Sequence, residues 1–234
     1  QTLSLTANPG GATYNWNGPN SFTSTLQNPT IISPTVTASG TYSVTQTLLG
    51  CTSLAGTVNV IVNPTPAAPT AGGTATLCEG STLSLTATFT AGATYNWTGP
   101  NSFTSAVQNP TIGGATTLAT GMYSVTATVA GCTGPAGTFS VNVFGIPGPP
   151  VLGSNSPLCT GQTLSLTAGF IAGATYAWTG PNSFTSAVQN PTLGSVTLAA
   201  GGNYTVNVNV SGCGSAGTVI AVVVNPTPST PTAA

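Results

Sequence analysis

Three tryptophans, Trp16, Trp97 and Trp178, stand one fixed step of about 81 residues apart. Cys51, Cys132 and Cys213 keep the same step, as do Cys78 and Cys159, and Tyr42, Tyr123 and Tyr204. Around the tryptophans the chain spells one sentence three times. WTGPNSFTSAVQNPT occurs at Trp97 and again, unchanged, at Trp178, and WNGPNSFTSTLQNPT occurs at Trp16. A fixed period decides architecture before any local pattern does. This period is too long for a solenoid turn and fits a small domain that closes its own core. The expected division is residues 1–63, 64–145 and 146–225 as three repeats, with 226–234 opening a joint to a further one. Gln1–Ala7 resembles Gln162–Ala168, inside a repeat, and Asn225–Ala234 resembles the joint that begins at Asn63. The expectation is a window on a longer array whose first repeat lacks its opening strand.

Each repeat reads as strands. In the middle one, Thr82–Ala87, Thr94–Thr98, Tyr123–Val129 and Thr138–Val143 alternate polar and apolar residues, the signature of a strand with one buried face. Phe103–Val107 reads as a third strand, Pro110–Ile112 as a short fourth, and the segment before Leu77-Cys78 as an edge strand. Gly99-Pro100-Asn101 is a turn signal. No window carries the helical period. Seven or so short strands with frequent turns predict an all-β fold of tandem β-sandwich domains.

The side-chain inventory excludes most chemistry. There is no Lys, Arg or His, and Glu79 is the single acidic residue, against a usual charged fraction of about 25%. With 40% apolar residues the chain is still equipped for cores, unlike a disordered one. General acid–base work, a Ser or Cys nucleophile with its base, and paired carboxylates all lack their residues. No enzyme, cofactor or metal site is expected: calcium would want carboxylates, and the cysteines contain no CxxC. Nucleic acid would want cations. No membrane span is expected either, since the longest aliphatic run, Val219–Val224, is far short of the ~18 residues required. A nearly uncharged surface favours association, so the partners to expect are copies of the chain itself and further repeats of the same parent chain. A glycan is the other candidate partner, with Phe103 and Phe184 as stacking platforms. Without ion pairs, stability should be nearly independent of salt, and of pH between about 4 and 8.

The combined motifs resemble a family. Gly121-Met122-Tyr123-Ser124-Val125, with its counterparts at Gly40–Val44 and Gly202–Val206, looks like the tyrosine corner of immunoglobulin-like domains. The Cys usual two residues after that Tyr is replaced by Val44, Val125 and Val206. The fuller set is Cys-x-Gly before the second strand, Trp-x-Gly-Pro-Asn-x-Phe, Asn-Pro-Thr-Ile, Tyr-x-Val and Gly-Cys. It is similar to the Ig-like repeats of giant bacterial cell-surface adhesins and gliding proteins exported by type IX secretion. The resemblance spans all three repeats and implies an extracellular, surface-attached stalk or fibre. It implies structural core roles for Trp16, Trp97, Trp178, Tyr42, Tyr123 and Tyr204.

Five cysteines without metal partners point to disulfides and an oxidising compartment. Cys51, Cys78, Cys132, Cys159 and Cys213 are the candidates, and two pairings stay open. One joins Cys78 to Cys132 and Cys159 to Cys213 within repeats. The other staples neighbouring repeats through Cys78–Cys213, because in Ig topology Cys78 and Cys132 fall at opposite poles, about 20–26 Å apart along a strand of six to eight residues. The Pro-rich joints at Asn63–Pro69 and Ile146–Pro150 read as semi-rigid spacers and predict a rod-like string. Asn96-Trp97-Thr98, Asn203-Tyr204-Thr205 and Asn209-Val210-Ser211 match the N-glycosylation pattern by chance, none recurring between repeats.

Overall fold

A computed structural model describes residues 1–8 and 10–232. Among the described residues the chain is all-β, its only helical elements being three-residue 3-10 turns. It forms tandem immunoglobulin-like sandwiches. By contact density it divides into two compact units. One comprises residues 1–69, 88–96 and 125–137, and the other 70–87, 97–124 and 138–234.

The third repeat lies wholly in the second unit and displays the design. One sheet is formed by Leu152–Ser154, Leu164–Ala168 and Thr192–Leu193. The other runs Phe184–Ser186, Thr175–Gly180, Gly202–Val210, with Cys213–Gly214 and Thr218–Val222 both pairing with Gly202–Val210. The period-2 alternation sets which residues meet between the sheets. Tyr176 and Trp178 point inward from one strand, and Tyr204, Val206 and Val208 from the next, with Trp178 directly opposite Val206. Leu164 and Leu166 close the core from the first sheet. Each such fully buried apolar side chain contributes about 1.5–3 kcal/mol. The first repeat, in the first unit, has the same second sheet, with Trp16 opposite Val44. Its core is Leu5, Ala7, Tyr14, Trp16 and Tyr42.

Three local features depart from the strand pattern read in the sequence. The edge segment of the middle repeat is two strands on two sheets. Ala71–Gly73 pairs antiparallel with Leu83–Ala87, and Thr76–Cys78 pairs parallel with Gly137–Phe144. Gly73 sits at the crossing with φ +141°, and a Cβ there would strike the Ser84 carbonyl oxygen, so only glycine passes. Phe103–Val107 is a strand only to Ser105, because the Ser105 hydroxyl accepts the Val107 amide at 3.2 Å and turns the chain. Finally, a 3-10 turn precedes each long tyrosine strand, at Val36–Ala38, Thr117–Ala119 and Leu198–Ala200.

Candidate functional site

The thrice-written stretch is built as a hairpin that locks onto the core. Trp97 and Trp178 are fully buried. Two residues on, Gly99, Gly180 and Gly18 lie flat against the rings of Tyr123, Tyr204 and Tyr42, where an added Cβ would overlap the ring. Pro100 leads into Asn101 and Ser102, both with positive φ of 52° and 57°, and the Phe103 amide closes the turn on the Pro100 carbonyl at 3.1 Å. Asn is the residue type that best tolerates that left-handed backbone after glycine. Phe103 then meets Tyr123 edge-to-face at 5.5 Å between ring centres, and Phe184 meets Tyr204 at 5.3 Å.

The Gln-Asn-Pro end of the stretch clamps the second strand. Asn109 accepts the Ala87 amide through Oδ1 at 3.0 Å, and Gln108 donates through Nε2 to the Ala87 carbonyl at 2.8 Å. Pro110 offers its carbonyl to the Leu85 amide at 2.9 Å, and the Trp97 indole donates to the Gln108 carbonyl at 3.1 Å. Asn190, Gln189, Pro191 and Trp178 repeat all four bonds. In the first repeat the Trp16 indole N–H is buried with no hydrogen-bond partner among the described residues. Ser105, Gln108 and Asn109 of the repeated sentence are thus bonded within the fold, while Thr98, Asn101, Ser102, Thr104 and Thr111 face solvent.

The tyrosine corner is complete in each repeat. The hydroxyls of Tyr42, Tyr123 and Tyr204 donate to the carbonyls of Ala38, Ala119 and Ala200, each at 2.9 Å, on the preceding 3-10 turn. Burial raises the pKa of all three phenols by disfavouring the phenolate.

Of the two cysteine pairings, the structure holds Cys78 bonded to Cys213, with Cα atoms 5.5 Å apart, within the second unit. Cys51, Cys132 and Cys159 are free thiols, Cys51 exposed and the others half-buried. The intra-repeat pairs Cys78–Cys132 and Cys159–Cys213 are therefore not formed. Strand direction is the reason: Cys78 ends an edge strand, and Cys213 starts the short return from the far end of a neighbouring repeat's tyrosine strand.

Among the described residues no group of three or more His, Cys, Asp and Glu comes together. Among the same residues no helix is long and apolar enough to cross a membrane. Phe103 and Phe184, the suggested sugar platforms, are half-buried against their tyrosines. The aromatics with open faces are Phe89 and Phe170, 75% and 77% exposed. Both sit one step apart in the loop after the clamped strand, a position whose sequence carries no turn or pairing signal beyond an unpaired apolar letter. Other large apolar residues stand out in solvent, Leu49 and Leu54 almost wholly.

No family model matches the chain, and no curated relative matches it. Among solved structures it is similar to the extracellular domains 3–5 of Drosophila OTK, with 15% identity over 96% of this chain and 92% of that one and a TM-score of 0.45. It is also similar to the three-domain ectodomain of mouse nectin-like molecule 4, with 12% identity over 99% of this chain and 96% of that one and a TM-score of 0.41. Domains A168–A170 of titin give 12% identity over 96% and 93%, with a TM-score of 0.41.

Proposed function

We propose that this chain is a non-catalytic structural segment of a secreted, surface-attached fibre or adhesin stalk, and that its repeats self-associate into filaments. The observation that carries the reading is a surface with one charged side chain in 234 residues that still presents Leu49, Leu54, Ile32, Val151 and Phe170 at 77% exposure or more. Such a surface neither repels its copies nor hides its apolar side chains, and both conditions favour lateral packing. A disulfide between distant parts of the chain suits an oxidising, extracellular setting. The resemblance to bacterial adhesin and gliding-protein repeats exported by type IX secretion agrees with this setting.

Sedimentation velocity and electron microscopy of the purified chain test the reading. Concentration-dependent growth into ordered filaments, unchanged at high salt, is the expected result. A monomer that persists to millimolar concentration overturns self-association. A second reading, a glycan-binding array acting by avidity, is favoured by Phe89 and Phe170 standing open at equal positions. Retention on immobilised polysaccharide that Phe89→Ala and Phe170→Ala abolish would select it.

A further inference from the structure

Among the described residues, only two groups of exposed large apolar side chains keep the step of the repeats. Phe89 and Phe170 are one group. Leu26, Val107 and Val188 are the other, one in each repeat and all between 61% and 64% exposed. The remaining exposed ones, Leu49 and Leu54 included, have no such counterpart one step away.

Both groups stand on backbone that is held from two sides. The Tyr95 hydroxyl accepts the Thr90 amide at 2.8 Å and donates to the Thr88 carbonyl at 3.1 Å, so one buried phenol grips the residues flanking Phe89. Tyr176 does the same for Phe170, through the Ile171 amide at 3.1 Å and the Gly169 carbonyl at 3.0 Å. In the other group, the hydroxyls of Ser24, Ser105 and Ser186 accept the amides of Leu26, Val107 and Val188, each at 3.2 Å. The next residues, Gln27, Gln108 and Gln189, donate to the carbonyls of Ala7, Ala87 and Ala168, each at 2.8 Å. A side chain presented on a loop already fixed loses little freedom when it binds, and so keeps more of its contact energy. None of these pins is needed merely to leave an apolar residue in water.

We infer that Phe89 and Phe170 are the anchors of the contact between two copies of this chain, and that they seat on Leu26, Val107 and Val188 of the second copy. This rests on the fibre reading and names its contact. Three observations choose the occupant. The loop around Phe170, residues 169–174, has no polar side chain, whereas a sugar site sets directed polar groups beside its apolar surface. No charge lies in either group, so an ionic partner gains nothing there. The second copy, by contrast, carries an apolar receiver at the same step as the anchors, and engaging one anchor raises the effective concentration of the next. Aromatic side chains on preorganised loops are also the usual centres of binding energy at protein interfaces. The first repeat supplies a receiver and no anchor, since its loop between Ala7 and Thr13 contains no aromatic residue. Anchor and receiver are different surfaces, so the contact is head-to-tail in kind and can propagate through many copies.

The test is a double-mutant cycle on the full chain, read as the association constant from sedimentation velocity over a concentration series. One variant joins Phe89→Ser with Phe170→Ser. A second joins Leu26→Thr, Val107→Thr and Val188→Thr, and a third combines both sets. Every changed side chain is exposed, so thermal melts should stay at the wild-type midpoint. Each set should weaken association about tenfold or more, the loss of at least one buried apolar side chain. The combined variant should lose little beyond either set alone, because each set removes the other's partner. Leu49→Ser, outside both groups, should stay within about twofold of wild type. Wild-type association in the Phe variant, losses that multiply in the combined variant, or an equal loss in Leu49→Ser each overturn the anchor. Retention on polysaccharide that the Phe variant loses while its self-association is intact overturns it too, and gives these residues to a glycan. A wild-type chain that associates while the anchor fails leaves the fibre reading standing. A wild-type chain that stays monomeric to millimolar concentration ends both.

Discussion

Tyr204→Phe isolates one atom of the corner. The ring stays, with its edge on Phe184 and its face on Gly180, and only the hydroxyl that donates to Ala200 at 2.9 Å is lost. The Ala200 carbonyl remains in a buried residue, so the cost is that of an unmade buried hydrogen bond, about 1–3 kcal/mol. For a domain of this size each kcal/mol lowers the melting point by about 4–8 °C. The same hydroxyl has a second signature. Burial raises its folded pKa above the ordinary value of 10.0, so above pH 10 the unfolded state loses the proton first. It then binds fewer protons than the folded state, and stability falls as pH rises, by up to about 1.4 kcal/mol per pH unit for this phenol, until the folded pKa is passed. The Phe variant has no such proton. The gap between wild type and variant should therefore be full at pH 7 to 9 and shrink as the pH rises above 10. Urea unfolding followed by circular dichroism measures it. A variant within about 0.5 kcal/mol of wild type at neutral pH, the scatter of surface substitutions, would refute the buried-bond argument. A gap that widens with alkali would refute the linkage argument.

Three further outcomes follow from the packing. Gly180→Ala places a methyl against the Tyr204 ring and should cost about 1–3 kcal/mol by overpacking, whereas Gly194→Ala, with open space around its Cβ, should be neutral or stabilising by up to about 1 kcal/mol; thermal unfolding of the two variants compares them. Asn190→Ala removes the acceptor of the Ala168 amide and should cost about 1–2 kcal/mol in the same assay, with Asn190→Asp recovering most of it because the acceptor oxygen returns. Cys78→Ser combined with Cys213→Ser opens a crosslink of sequence separation 135 and should lower stability by up to about 5 kcal/mol on the chain-entropy estimate, and non-reducing peptide mapping should recover Cys78 joined to Cys213 before the change.

Periodicity made much of this fold readable in advance. Alternation marked the strands that carry Trp97 and Tyr123, the immunoglobulin-like resemblance implied core roles for Trp97, Trp178, Tyr123 and Tyr204, and Gly-Pro-Asn placed the turn between Trp97 and Phe103. What escaped reading depends on partners far along the chain. Nothing local to Gln108 and Asn109 says that both will grip the backbone of Ala87, 21 and 22 residues away. The division of the edge segment needs the second sheet to be present, since Thr76–Cys78 is a strand only by virtue of Asn142–Phe144. The 3-10 turn at Thr117–Ala119 is too short to show a period, although it supplies the carbonyl that the tyrosine needs. The cysteine pairing stayed open in the sequence because the case against Cys78–Cys132 rests on which strands the cysteines flank, and the strand registration that settles this comes only with the assembled sheets.

The bond between Cys78 and Cys213 has a mechanical consequence. A chain pulled from its ends transmits load through covalent bonds, and this crosslink carries the load past everything between those two residues. A separation of 135 residues, at about 3.5 Å for each extended residue, withholds roughly 470 Å of contour length from extension. The strands, cores and clamps within that span can loosen under tension and still have nowhere to go, so they reform in place when the load is released. Reduction converts the same segment from a strut into slack.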